Sequence, residues 1–249
     1  MRQHWREWLV GLVVAAGVVA ALLVPPLPQD PAYHHFIDTR KIAGVPNFWD
    51  VLSNIGFMFA GAYGLTRARH LSSPALRPAY VVFCVAVICV ALGSAYYHYA
   101  PSTPTLVWDR LPMSVAFMAL FSLVLGDRLA PKLGRVLLWP LIGLGAISVV
   151  YWAWTERHGT GDLRLYALVQ FLPVILIPLL LLVCEGSRRS TSWLWCTFAA
   201  YFLAKLAEHF DAALYDALGL SGHSIKHLLS AFAVLFAILA LLRLDPPEP

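Results

Sequence analysis

Apolar residues in this chain come in unbroken blocks rather than alternating with polar ones, as in Leu-Val-Gly-Leu-Val-Val-Ala-Ala-Gly-Val-Val-Ala-Ala-Leu-Leu-Val near the start. About 20 residues of helix cross a hydrocarbon core roughly 30 Å thick. Blocks of that length predict eight membrane-spanning helices, at 8–27, 48–66, 78–99, 108–126, 134–155, 163–184, 192–210 and 223–243. A spanning β-barrel would instead show alternation at period two in segments of about ten residues, and the blocks show none. The connections are short and marked by Pro or Gly, except for a polar stretch at 28–47 rich in Pro and aromatic residues. The reading is an all-α integral membrane protein: an anchor helix at 1–28, an outer interfacial segment at 29–47, a seven-helix core at 48–243 and a C-terminal tail at 244–249.

Composition leaves little chain for a soluble domain, since 59% of the 249 residues are hydrophobic and 13% are charged. The net charge of +4 matters less than where the charges fall. Arg2, Arg6, Arg67, Arg69, Arg77, Arg128, Lys132, Arg135, Arg188, Arg189 and Arg243 gather at alternate span ends, which the positive-inside rule makes cytoplasmic. Asp30, Asp38, Asp50, Asp109, Glu156, Asp162, Asp211 and Asp216 gather at the other ends, which should face a periplasm or lumen, with both termini cytoplasmic. The C-terminal Leu-Asp-Pro-Pro-Glu-Pro shows no retrieval signal, which suits a bacterial inner membrane. No basic, aromatic-interleaved patch points to nucleic acid. Cys84, Cys89, Cys184 and Cys196 all fall inside predicted spans without C-x-x-C spacing, so buried free thiols are expected. The first span is long and lacks a small-x-small site, which favours a retained anchor over a cleaved signal peptide.

Ionisable groups are costly within a membrane, so each one there is a candidate for function. His223 and His227 are spaced i, i+4, which puts two imidazoles on one helix face, as one metal ion needs; two interfacial histidines reaching for water would show the same spacing. Topology adds His98 at the outer end of the third span and Asp109 at the outer start of the fourth, at the same depth. Ser94 lies one turn below His98 on the same face. Three neutral imidazoles suit Zn²⁺ with a fourth position left for water, whose pKa the metal would lower. The chemistry implied is hydrolysis, with Asp109 accepting the water proton and passing it to a leaving group, and Ser94 hydrogen-bonding the developing oxyanion.

The order G-S-x-x-x-H at 93–98, D-x-L-P-M at 109–113 and H-x-x-x-H at 223–227 resembles the alkaline ceramidase family. Phe48, Trp49, Ser53 and Asn54 match that family's Phe-Trp-x-x-x-Ser-Asn signature, and the resemblance runs over about 47–243. It implies a seven-helix zinc amidase of the membrane, preceded here by one extra helix, with His98, His223 and His227 on zinc and Ser94 and Asp109 in catalysis. The substrate implied is ceramide or a related N-acyl lipid, cleaved to fatty acid and amine. Eukaryotic members carry an acidic calcium-binding segment and a Glu just before Phe-Trp; this chain has Asn47 there, and its Asp38 is followed by Arg40 and Lys41, which does not support an equivalent calcium site.

The remaining polar residues carry alternatives. Lys205, Glu208 and Asp211 form a local ion-pair row on the seventh span or, for the acids, orient a ligand histidine. Asp50, Ser53 and Asn54 have the same two readings on the second span. His209 reads as interfacial, His34, His35, His70 and His158 as loop residues, and Lys226 as pointing away from the histidines toward headgroups or a substrate phosphate. Pro173 and Pro178 should kink the sixth span and open a lateral cleft for a lipid tail. Two other functions compete with hydrolysis. The wider superfamily with progestin and adiponectin receptors and hemolysin III-like proteins would keep the zinc without turnover, and a transporter would use Lys205, Glu208 and Asp211 as a proton path. Oligomeric state leaves no mark in the sequence.

Overall fold

The structure is a computed structural model and describes residues 5–243. Arg2 and the tail at 244–249, both given places above, lie outside the described residues. Ten α-helices follow in order: α1 (Trp5–Leu23), α2 (Phe48–Leu52), α3 (Ile55–Arg67), α4 (Arg77–Tyr99), α5 (Thr103–Arg128), α6 (Pro131–Arg157), α7 (Arg164–Val183), α8 (Arg188–His209), α9 (Asp211–Leu218) and α10 (Gly222–Leu241). Among the described residues there is no strand, only an isolated bridge between Ile42 and Val45. Helices α1, α4, α5, α6, α7 and α10 are each long and apolar enough to cross a membrane. The chain is an all-α, multi-pass membrane protein.

Two expected spans take a less regular form. The second is divided into α2 and α3, because Ser53 Oγ and Asn54 Nδ2 turn back to the carbonyl of Asp50, at 3.3 and 2.7 Å, and compete with the helical ladder. The seventh, α8, has the length but carries Ser190, Thr191, Ser192, Thr197, Lys205 and Glu208, which lower its hydropathy. The short helix α9, which apolar blocks do not announce, fills the turn before α10.

Helix α10 packs on α8 on one side and α3 on the other; α3 packs on α4, α4 on α5, and α5 on both α6 and α7. A core around Tyr80, Cys84, Leu123 and Ile238 joins α3, α4, α5 and α10, and a second around Val124, Leu176, Leu180 and Leu194 joins α5, α7 and α8. Helices α7 and α8 both line a cavity that α4, α5 and α10 also face. Helix α1 has no buried residue and lies along α7, with Val10, Val13 and Val14 against the second core. The cysteines are unpaired; Cys84 and Cys184 are buried, whereas Cys89 and Cys196 lie on exposed helix faces, so only two of the four meet the expectation of burial.

Candidate metal centre and active site

His98 stands in the last turn of α4, and His223 and His227 in the first two turns of α10. All three are buried, and their ligand atoms lie within 4.8 Å of one another. The Nε2 atoms of His98 and His223 are 3.3 Å apart. Two nitrogens each about 2.0–2.1 Å from a tetrahedral zinc would be separated by about 3.3–3.4 Å. The donor set is one that could hold a metal ion, and the His98–His223 pair has the spacing that zinc would need. It is the one group of three or more metal-ligating side chains found among the described residues.

His227 is held at its ring, and His98 and His223 at their backbones; His98 Nδ1 is buried with no partner. His227 Nδ1 lies 2.8 Å from Ser53 Oγ, whose own hydrogen goes to the Asp50 carbonyl, so Nε2 is the nitrogen left for the metal. Asp50, fully buried, accepts from Ser221 Oγ and Ser224 Oγ at 2.9 and 2.6 Å and so pins the start of α10 to α2. Of the three, Ser53 touches a histidine ring, Asp50 holds the start of α10 through Ser221 and Ser224, and Asn54 serves the helix break. Asp211 accepts the backbone N–H of His223 at 3.0 Å, stabilising the first turn of α10 without touching an imidazole. Asn47, in the left-handed region at φ 46°, donates to the last-turn carbonyl of His98 at 2.8 Å. Phe36 covers the centre, its ring 4.7 and 5.2 Å from those of His98 and His223.

Asp109 reaches this centre because α4 and α5 interlock. Pro112 has no N–H for the Trp108 carbonyl, and that freed oxygen lies against Gly93, where an added Cβ would stand only 2.0 Å from it. The approach brings Ser94 and Asp109 to the wall of one cavity. Ser94, His98, Asp109, His223 and His227 all line one cavity of about 490 Å³. The rest of its wall is mostly apolar, including Val87, Met113, Ile177 and Ala237.

A family model described as Ceramidase matches residues 36–246, most of the chain. The chain belongs to the ceramidase family. Membership makes it a membrane hydrolase of the ceramide type, an amide-cleaving enzyme of lipid metabolism whose substrate is a lipid of the bilayer. A comparison with curated proteins finds no match. In this ceramidase the matched region starts at Phe36, whose ring lies against His98 and His223, and α1 precedes it.

Several polar residues are placed differently from the sequence reading. Lys226 turns inward rather than to headgroups: it bonds Glu208 at 2.8 Å and lies 3.1 Å from His223 Nε2, because i, i+3 spacing leaves it on nearly the same face. The expected row becomes Lys205–Glu208–Lys226, with Asp211 outside it. His34 is not a free loop residue, since its ring bridges Tyr97 and Thr103 at 3.0 and 3.1 Å. The Asp38 carboxylate is taken by Arg40, whose hydrogen bonds hold it below the usual carboxylate range, and Arg40 also donates to the Gly219 carbonyl at 2.6 Å. Sequence reasoning missed Phe36, the role of Asn47, and Arg110. The one available signal was for Arg110, a cation at an end where acids gather.

Proposed function

We propose that this ceramidase is a zinc-dependent amidase in which His98, His223 and His227 hold the metal and Asp109 and Ser94 serve the reaction on an N-acyl lipid. The observation that carries the reading is the meeting of three buried imidazoles and a buried carboxylate in one apolar cavity. Zinc held by three histidines supplies a water of lowered pKa and polarises a carbonyl. Asp109 takes the proton of the water that attacks the amide carbon. It then delivers that proton to the amide nitrogen as the C–N bond breaks, leaving a fatty acid and an amine. Ser94, on the same cavity wall as Asp109, is the donor assigned to the developing oxyanion.

The cavity suits an acyl chain. From His227 to Ala237 its wall follows α10 for ten residues, about 15 Å at 1.5 Å per residue and so about half of a hydrocarbon core. Its volume is that of a small-molecule site. The tail enters from the bilayer between α7 and α8, where Pro173 lines the cavity. With the Arg-rich span ends cytoplasmic, the histidines open toward the outer leaflet and α1 stays as an anchor.

Zinc content and fatty-acid release, measured on the same detergent-purified samples of wild type, His223→Ala and Asp109→Ala, test this reading. The expectation is one zinc in wild type, loss in the histidine variant, and retention in an inactive Asp109 variant. Zinc without turnover on any N-acyl lipid would overturn the hydrolase, and absence of zinc would overturn the metal.

A further inference from the structure

Arg110 follows Asp109 in the chain, is 6% exposed, and lines the same cavity. Its guanidinium lies 4.2 Å from the ring centroid of Trp152, 4.9 Å from that of Tyr166 and 5.5 Å from that of Tyr33. Nη2 donates to the side-chain oxygen of Gln29 at 2.7 Å, whereas Nη1 is buried with no acceptor. Ring faces attract a cation but offer no acceptor to its N–H groups. Among the described residues no carboxylate forms an ion pair with Arg110. The Oε1 atom of Glu156 is occupied by the Gln29 backbone N–H and by Trp152 Nε1, at 2.6 and 3.1 Å.

Lys205 and Lys226 share Glu208, so cations outnumber carboxylates three to two around the cavity, and Arg110 forms no ion pair with either Glu208 or the other wall carboxylate, Asp109. A buried charge without a counter-ion is costly, and a guanidinium is shaped for the paired oxygens of a carboxylate or phosphate. Position says which part of a substrate would bring them. Arg110 shares its part of the wall with Leu27, Tyr33 and Tyr166, at the end of the bundle that carries the histidines, while Val87, Ile177 and Ala237 line the depth. A lipid with its amide at the histidines and its tail in the depth presents its amine half toward Arg110.

We propose that Arg110 is an anion subsite and that the preferred substrate is an N-acyl lipid whose amine half carries a carboxylate or a phosphate. The assignment rests on the amidase reading for its orientation. The plain alternative is that Arg110 only rivets Gln29 and the segment after α1.

Two matched pairs decide: N-palmitoylglycine against N-palmitoylethanolamine, and ceramide 1-phosphate against ceramide. Hydrolysis of each is measured with wild type, Arg110→Gln, Arg110→Lys and Gln29→Ala, and binding of each by calorimetry with Asp109→Asn protein. Wild type should favour the anionic member of one pair, and which pair tells carboxylate from phosphate. The anionic-to-neutral ratio of kcat/KM should fall about 10- to 100-fold in Arg110→Gln, as for loss of a hydrogen bond to a charged group. It should recover in part in Arg110→Lys and persist in Gln29→Ala, which removes the rivet alone. Wild-type preference for the neutral member of both pairs, or equal loss on both members, would overturn the subsite. Preferential binding of the anionic lipid without turnover of any would sink the amidase and leave the subsite standing. Should Arg110→Gln not fold, the binding comparison with Asp109→Asn still decides.

Discussion

Ser53 Oγ lies 2.8 Å from Nδ1 of His227, joining the break between α2 and α3 to the start of the last helix. With the ring hydrogen on Nδ1, the serine accepts from His227 and passes its own hydrogen to the Asp50 carbonyl, which fixes the face the imidazole presents. Ser53→Ala should therefore weaken zinc binding about 10- to 100-fold, the usual cost of losing such a partner. Chelator competition on purified protein measures this, and Ser53→Thr should restore most of the affinity. An unchanged affinity would show that packing alone orients the ring.

The interlock of α4 and α5 makes Gly93 a second test. A methyl group there would meet the Trp108 carbonyl at 2.0 Å, and backbone cannot swing aside as a side chain can. Gly93→Ala should push the helices apart, cost about 1–3 kcal/mol of stability as overpacking does, and separate Ser94 from Asp109. Activity should fall by more than the loss of folded protein accounts for. Thermal unfolding and kcat measured on the same preparation distinguish the two effects.

How much of this could be read from the sequence depends on the kind of interaction. The three histidines come together because helix spacing and membrane depth, both visible in sequence, already put them at one level. The break at Ser53 and Asn54 escaped because hydropathy does not register a side chain bonding back to a carbonyl. Phe36 and Asn47 come from the irregular segment before α2, where no period says what a residue touches. Lys226 was misplaced because a lysine's long stem lets its charge turn toward Glu208 on a neighbouring helix, and a helical wheel shows only where the stem begins.

The depth of the cavity predicts chain-length selection. Ala237 is 1% exposed and lines the cavity about 15 Å along α10 from His227. Phenylalanine there would fill the space of several methylenes, each worth about 0.8 kcal/mol when buried. For Ala237→Phe the ratio of kcat/KM for palmitoyl over octanoyl amides should fall about 10- to 100-fold. A ratio unchanged from wild type would place the acyl chain elsewhere.

Asp162, in the turn between α6 and α7, accepts from Arg164 Nε and Nη2 at 2.9 and 2.8 Å and from Tyr151 Oη at 3.0 Å. Arg164 also donates to the Val24 carbonyl at 2.8 Å, so the carboxylate helps to tether the chain leaving α1. Hydrogen bonding to Arg164 lowers its pKa to about 2, below the usual aspartate value of about 3.9. The folded state then binds its proton less readily than the unfolded chain. The stabilisation is whole above about pH 4 and is lost as pH falls through about 2. Asp162→Asn should melt a few degrees below wild type in detergent at pH 6, and the gap should close as pH drops across that window. A gap that stays constant down to acid pH would assign the tether to hydrogen-bond geometry rather than to the carboxylate charge.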